Sequence, residues 1–400
     1  MLEGMTAAAG ATEYRDLVGR AAGAFDTATM ASWHAARHVP ASAIAALGAT
    51  GVFEARWEPG AYGGTGRLVE LVNELQRHDC GLALAAIGHS EIFIGALLRY
   101  ARTDGQAGLL REALAGRTVG CFAATEPQGG ANLSAISTAA KPTPHGWHLT
   151  GIKRYVSNVG SATHAVVLAR ADAGVSDLSL FVVPLDAPGV RVDGFFDTSG
   201  VQTCDVGQLS FDADLPADAL LGRRGLGLLY ASHLLQFERL AICALLIGAA
   251  EQALALATAY ARGRRLADAR VMDKQVIRHR FATAYAELWN LRSRLADIVA
   301  SSQRERAMPA HEISALKLIA GQRVTEIIDM SMQVFGARGN TSAYPLERLW
   351  RDCRVARIGG GTDEVLADTV ASFIDRPDPQ AQALLEQAAQ ADLPRPASQP

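Results

Sequence analysis

Hydrophobic residues recur at helical spacing through the first third of the chain. In one stretch Leu68, Leu71, Val72 and Leu75 would all fall on the same face of a helix, because an α-helix repeats every 3.6 residues. Glycine and proline residues separate such stretches. The pattern predicts an N-terminal helical domain over residues 1–115.

The pattern changes near Val119 to short runs rich in β-branched and aromatic residues. The clearest of these runs are WHLTGIKRYVS, HAVVLAR and LSLFVVP, and glycine, proline, aspartate or asparagine lies between them. Short apolar runs bounded by turn-forming residues are typical of β-strands. They predict a middle antiparallel β domain over residues 116–225.

The helical period returns after Gly225. We expect four long helices in a C-terminal bundle over residues 226–376, at 227–262, 273–302, 311–335 and 362–374. The last residues, rich in proline, glutamine, alanine and aspartate, predict a flexible tail over 377–400, because such a composition buries too little apolar surface to fold. The predicted fold class is therefore α+β, in the order helices, β domain, helical bundle.

Composition and charge exclude several classes of protein. The 400 residues are 49% hydrophobic and 20% charged, with a net charge of −3, so no overall positive field favours nucleic acid. The longest apolar run, 240–250, is shorter than the ~20 residues needed to cross a bilayer, which argues against membrane insertion. The five cysteines lie far apart and form no CxxC pair, so we expect no metal site and a cytoplasmic location.

The stretch RIGGGTDEV, residues 357–365, combines three glycines with a helix start. Glycine allows the backbone to approach a ligand closely, and Thr362 is suited to cap the helix that follows. Asp363 and Glu364 fall in its first turn, where the helix dipole favours negative charge. The loop could bind a ligand, or it could be an ordinary helix entry.

Two further runs have features that suit a flat, heteroatom-rich ligand. CFAATEPQGGAN, residues 121–132, carries the Thr125 hydroxyl and two glycines. GIKRYVSN, residues 151–158, places Tyr155 and Ser157 two apart, hence on one face of a strand. In contrast, His89, Ser90 and Glu91 lie in an apolar helical run, where we expect partnered buried groups more often than pocket residues.

From about Tyr14 to Ile374 the sequence resembles the acyl-CoA dehydrogenase family. The resemblance rests on the order and spacing of TEP at 125–127, YVSN at 155–158, FERL at 237–240, YARGR ending in Arg264, Gln275, QVFGARG at 333–339, RD at 351–352 and the GT of the last loop. It implies an FAD cofactor, three domains and assembly as a homotetramer.

The resemblance also implies roles for individual residues. The isoalloxazine ring would be flanked by Phe122, Thr125, Tyr155 and Ser157, and approached from the last loop by Thr362 and Glu364. The FAD of a neighbouring subunit would be reached by Arg264, Gln275, Gln333 and Gly336. The chain departs from the family where Ala131 and Asn132 end the TEP run and where Ala267 and Asp268 follow Arg264.

The most informative departure concerns the catalytic base. Many family members carry a glutamate immediately before the GT pair, whereas this chain has Gly360, which can offer only its backbone N–H. In isovaleryl- and long-chain acyl-CoA dehydrogenases the base lies on the first long helix of the bundle, and Glu238 matches that position. Its apolar surroundings would raise its pKa. The alternative is a structural pair between Glu238 and a nearby arginine.

The predicted function is FAD-dependent α,β-dehydrogenation of a small or branched acyl thioester, carried by coenzyme A or by an acyl carrier protein. Glu238 would take the proton, Gly360 would provide a backbone donor, and Arg239 and Gly361 would contact the substrate. Electron transfer flavoprotein is the expected acceptor. The alternatives are a flavin-dependent monooxygenase or N-hydroxylase on the same fold, and an inactive FAD-binding subunit.

Overall fold

The computed structural model describes residues 10–171, 178–375 and 378–391, which run through helices, then strands, then helices. The first part contains α1 (Ala11–Ala22), α2 (Thr27–Ala36), α3 (Ala41–Ala49), α4 (Val52–Trp57), α5 (Gly60–Gly63), α6 (Thr65–His78), α7 (Cys80–Ile87), α8 (Gly95–Tyr100) and α9 (Asp104–Leu114). A π-helical segment, Gly88–Ile94, joins α7 to α8.

In the N-terminal part, the apolar residues that recur at helical spacing are the ones that are buried. In α6, Leu68, Leu71, Val72 and Leu75 are at most 1% exposed, and this helix packs against α1 and the first helix of the bundle. The predicted apolar face is confirmed, because the residues spaced three and four apart are those that leave water.

The middle part forms one sheet. Its strands are β1 (Gly120–Ala123), β2 (Ala139–Thr143), β3 (Gly146–Ser157), β4 (His164–Arg170), β5 (Leu178–Pro184), β6 (Val190–Phe195), β7 (Val206–Pro216) and β8 (Leu220–Leu221). The strand order is β6-β7-β3-β2-β4-β5-β8, with β1 paired to β4. Most pairs are antiparallel, but β4 pairs in parallel with β1 and, at one residue pair, with β2. The β1–β4 pair brings the end of β1 beside β3, where the TEP run begins.

The C-terminal part is dominated by three long helices. It comprises α10 (Gly227–Gly263), a small hairpin of β9 (Arg265–Leu266) and β10 (Ala269–Arg270), α11 (Gln275–Glu305), α12 (Ala310–Phe335), α13 (Leu346–Val355), α14 (Asp363–Ile374) and α15 (Pro379–Ala391). The four predicted helices are confirmed to within a few residues. The sequence did not predict α13. Within the predicted flexible tail, Pro379–Ala391 form the exposed helix α15 instead, while 377 and 392–400 lie outside the described residues.

Two helical stretches, Cys80–Tyr100 and Gly227–Gly263, are long and apolar enough to span a membrane. However, 83% and 78% of their most apolar windows are buried within the protein. A helix that is apolar on all sides is expected at the centre of a large helical domain. Both stretches therefore serve as core helices of this fold, and α10 carries Glu238 through the middle of it.

Candidate active site

The glycine loop between α13 and α14 packs directly against α10, although about 120 residues separate them in sequence. Arg239 Nε donates a hydrogen bond to the Gly360 carbonyl oxygen at 2.7 Å. Lys317 Nζ on α12 donates to the Gly361 carbonyl oxygen at 2.9 Å. Two buried cationic side chains therefore hold consecutive peptide units of the loop in place.

Glycine is required in this loop for conformational reasons. Gly360 has φ +67° and Gly361 has φ +110°, a region that residues with a Cβ rarely adopt. A Cβ at Gly360 would also lie 3.1 Å from Ile242 Cδ1 on α10. The following residue, Thr362, caps α14 by accepting a hydrogen bond from the Val365 N–H, so the predicted cap is confirmed.

Glu238 lies one residue before Arg239 on α10 and is partly buried. Over the described residues, its carboxylate has neither a hydrogen bond nor an ion pair. Burial raises its pKa, while the nearby charges of Lys317 and Arg239 act in the opposite direction. The structural pairing with an arginine is not formed, since the Arg239 Nε is directed to Gly360 instead.

Lys317 was not identified from the sequence. It is only 1% exposed, and burial lowers its pKa to about 8, against the raising effect of Cys243 and Glu238. Lysine is seldom buried without a partner. The only sequence signal was its position within the apolar stripe of α12, between Ile313 and Ala320.

The TEP and YVSN runs meet as predicted. The Arg154 N–H donates to the Thr125 carbonyl oxygen at 2.8 Å, and Lys153 Nζ bonds both Ala124 O and Glu126 Oε1. Phe122, Thr125 and Ser157 are each partly exposed. These contacts join the end of β1 to the middle of β3 and present one continuous surface.

This surface carries an exposed aromatic ring, and two buried polar atoms beside it have no hydrogen-bond partner among the described residues. Tyr155 is 58% exposed and has φ +56° at an irregularity in the β3–β7 pairing. Asn158 is 1% exposed, and both polar atoms of its side chain lack a partner among the described residues. A Cβ at Gly130 would lie 2.7 Å from Thr125 Oγ1, so glycine keeps that hydroxyl accessible.

A second group of predicted residues lies on the bundle surface. Gln275 and Gln333 line the same cavity of about 860 Å³ between α11 and α12. Arg264 is exposed at the C-terminus of α10, and Gly336 ends α12 with φ +62°; neither lines this cavity. Glu364 is exposed on the first turn of α14.

His89, Ser90 and Glu91 are fully buried and partnered, as expected. His89 bonds the Ala113 carbonyl oxygen at 3.0 Å, and Ser90 bonds Glu91 at 2.9 Å. Glu91 also receives two hydrogen bonds from Arg56, at 3.0 and 2.7 Å. These residues stabilise the N-terminal helices, and the sequence-based preference for a structural role is confirmed.

Comparison with known proteins identifies relatives along nearly the whole chain. The family description "Acyl-CoA dehydrogenase, C-terminal domain" matches residues 225–374, and "Acyl-CoA dehydrogenase, middle domain" matches residues 121–213. The acyl-[acyl-carrier-protein] dehydrogenase MbtN of Mycobacterium sp. (strain MCS) is 32% identical over 380 residues, covering 94% of this chain and 96% of the relative.

Human mitochondrial short-chain specific acyl-CoA dehydrogenase is 28% identical over 346 residues, covering 84% of this chain and 83% of the relative. The solved structure of butyryl-CoA dehydrogenase from Megasphaera elsdenii has the same fold, with a TM-score of 0.87 and 23% identity over 93% of this chain and 100% of that chain. Taken with the family matches, these findings show that the chain belongs to the acyl-CoA dehydrogenase family.

Proposed function

We propose that this protein catalyses FAD-dependent α,β-dehydrogenation of an acyl thioester, with Glu238 as the base. The observation that carries the proposal is a carboxylate with a pKa raised by burial and no bonded partner in the described structure, directly before Arg239, which holds the glycine loop. A base must be free to accept a proton, and a raised pKa brings a carboxylate closer to the range useful at neutral pH.

The residues on the β domain fit FAD. The exposed Tyr155 ring and the accessible Thr125 hydroxyl suit a flat ring with polar edges, and Asn158 has unused hydrogen-bonding atoms. We propose that Phe122 and Ser157 complete this side, with Thr362 and Glu364 contributing from the glycine loop. When bound, FAD supplies the acceptor for the hydride that leaves the β-carbon.

The protein's own residues would carry out the other half of the reaction, the removal of the α-proton. Glu238 accepts the α-proton and becomes a neutral carboxylic acid, while negative charge develops on the thioester oxygen. The N–H groups of Gly360 and Gly361 are available to stabilise that oxygen. Arg239 fixes the Gly360–Gly361 peptide, so these donors are already oriented before the reaction begins. We infer that Arg239 acts on the substrate through this loop.

The nature of the thioester is suggested by the relatives. MbtN is named as a dehydrogenase of acyl-[acyl-carrier-protein], which favours an acyl group on a carrier protein over one on coenzyme A. We propose a small or branched acyl chain. Electron transfer flavoprotein is the proposed electron acceptor, as the resemblance implies.

The bundle surface supports assembly as a homotetramer. Val276 and Trp289 on α11 are 59% and 55% exposed, and Ile319 on α12 is 52% exposed. Apolar residues of this size on neighbouring helices are typical of protein interfaces. We propose that Gln275 and Gln333, with Arg264 and Gly336, reach the FAD of a neighbouring subunit at this interface. A cytoplasmic location fits the five free, buried cysteines among the described residues.

The Glu238 carboxylate, partly buried and without a bonded partner among the described residues, favours dehydrogenation over flavin-dependent oxygenation, which has no need of a base at this position. The test is an anaerobic titration of the purified flavoprotein with saturated thioesters, offered both on a carrier protein and on coenzyme A. We expect at least one thioester to bleach the flavin without a reductase. Reduction only by an NADH-dependent reductase would favour the monooxygenase, and no bleaching by any donor would indicate an inactive subunit.

A further inference from the structure

Lys317 occupies an unusual position for a lysine. It points from α12 into the interface between α10 and the glycine loop, and it is 1% exposed. Its Nζ bonds the Gly361 carbonyl oxygen, and its Cε would lie 3.6 Å from a Cβ at Gly360. Both consecutive glycines of the loop are therefore in its immediate surroundings.

Several titratable groups face Lys317 from the surrounding elements. From α10 these are Glu238, Arg239 and the Cys243 thiol, and from α14 it is Asp363. Asp363 is already paired with Arg357, whose Nε lies 2.7 Å from Asp363 Oδ2. Burial raises the pKa of Cys243 to about 12, so this thiol is neutral at physiological pH.

The charges in this interface are unequal. Lys317, Arg239 and Arg357 provide three positive charges, whereas Glu238 and Asp363 provide two negative charges when both are ionised. Asp363 is neutralised by Arg357, and the Nε of Arg239 is committed to the loop. Among the nearby charges, Lys317 has the largest effect on the pKa of Glu238.

We propose that Lys317 is a positioning residue for the reaction, which fixes the Gly361 peptide and supplies the cation that keeps Glu238 ionised and ready to accept a proton. This inference rests on the proposed function of Glu238. A buried carboxylate without a nearby cation would remain protonated at higher pH and could not act as a base. Lys317 provides this cation without forming a direct ion pair, which would occupy the carboxylate.

A single residue thereby links the loop geometry to the ionisation of the base. The hydrogen bond from Lys317 sets the orientation of the Gly361–Thr362 peptide, at the start of α14. Because burial lowers the pKa of Lys317 to about 8, its charge is present at neutral pH and is lost in moderately alkaline solution. We therefore expect the pKa of Glu238 to rise further when Lys317 loses its proton.

The test measures the ionisation of Glu238 in the flavoprotein without substrate. The carboxylic-acid band of Glu238 is followed by infrared spectroscopy across pH, with Glu238→Gln subtracted as the reference. In Lys317→Met we expect the apparent pKa of Glu238 to rise by roughly one pH unit or more, the size expected when a neighbouring cation is removed. Lys317→Arg, which retains the charge, should remain closer to the wild type.

Two further variants separate charge from structure. Lys317→Gln keeps an N–H donor but loses the charge, so it should shift the pKa as Lys317→Met does, even if the methionine variant folds poorly. Lys141→Met, at an exposed lysine of β2, should leave the pKa of Glu238 unchanged. An unshifted pKa in both Lys317→Met and Lys317→Gln would overturn the inference.

The pH profile of thioester-driven flavin bleaching provides the second readout. Its rising limb should move to higher pH in Lys317→Met and Lys317→Gln, and this shift should be largely reversed in Lys317→Arg. A residue that only stabilised the fold would lower the rate equally at all pH values. If no thioester bleaches the wild type, the proposed function fails, but the infrared measurement still decides the role of Lys317.

Discussion

Glu126 and Glu238 are both shielded from much of the solvent, but their carboxylates have opposite surroundings. Glu126, in the TEP run, is 1% exposed and accepts hydrogen bonds from Lys153 Nζ at 2.9 Å and from the Thr138 N–H at 2.8 Å. Glu238, in the FERL run, has no bonded partner in the part of the chain that the structure describes.

Their pKa values differ accordingly. Burial alone would raise the pKa of Glu126, but hydrogen bonds from Thr138 and Lys153 lower it to about 2. Burial raises the pKa of Glu238, and the neighbouring cations only partly oppose this effect. A fully bonded carboxylate stabilises a structure, whereas a desolvated carboxylate without partners is available for proton transfer.

The largest expected effect on stability is at Glu126. Glu126→Gln removes the negative charge opposite the fully buried Lys153, and breaking one partner of a buried pair typically costs about 3 to 5 kcal/mol. Urea denaturation should show this loss directly. Glu112→Gln, which breaks an exposed pair with Arg117, is the matched control and should leave the urea midpoint almost unchanged, because exposed ion pairs contribute little to stability.

The pH dependence of stability should have opposite signs at the two sites. The lowered pKa of Glu126 gives a contribution that is present above about pH 4.5 and is lost as the pH falls toward 2. The raised pKa of Glu238 means that the folded state binds more protons than the unfolded state above pH 4.5, so its contribution to stability falls as the pH rises.

Glu238→Gln should therefore raise the unfolding midpoint at pH 7, although it removes the base. The gain should disappear when the pH falls below about 4.5, where the unfolded-state carboxylate is also protonated. Thermal unfolding of both proteins from pH 4 to 8 checks this prediction. A variant that is less stable than the wild type at pH 7 would show that the Glu238 carboxylate is structural.

A smaller effect is expected in the glycine loop beside Glu238. Gly360→Ala places a Cβ at φ +67° and 3.1 Å from Ile242 Cδ1, and a left-handed backbone costs about 1 to 2 kcal/mol for a residue with a Cβ. Gly359→Ala is the matched control, because its Cβ would meet only Val355 O at 3.7 Å. Equal stability of the two variants, measured by denaturation, would argue against strain at Gly360.

The sequence predicted some features of the Glu126 and Glu238 sites and missed others. The helical and strand patterns located the three parts of the chain, and the FERL and GGGT runs pointed to Glu238 and Gly360. Lys317 was missed because one lysine within an apolar helical stripe has no distinctive spacing. The hydrogen bond from the Arg154 N–H to the Thr125 carbonyl oxygen could not be predicted from the sequence either, because strand register depends on contacts between distant segments.

The short helix α13 illustrates the same limit. Its sequence, LERLWRDCRV, is strongly amphipathic, yet no helix was predicted over residues 346–355. Glu91 shows the opposite case, in which the general rule that buried polar groups are partnered was sufficient. Local patterns therefore identified candidate residues, whereas the contacts between α10, α12 and the glycine loop show which of them lie together.

The most direct test of Glu238 as the base is exchange of the substrate α-hydrogen with solvent deuterium in the flavoprotein. An active thioester is incubated anaerobically in D₂O, and label at the α-carbon is followed by mass spectrometry. We expect the wild type to exchange this hydrogen and Glu238→Gln to be slower by about 10² to 10⁴-fold, the usual contribution of a general base. Exchange at the same rate in the two proteins, with flavin bound in both, would contradict the assignment.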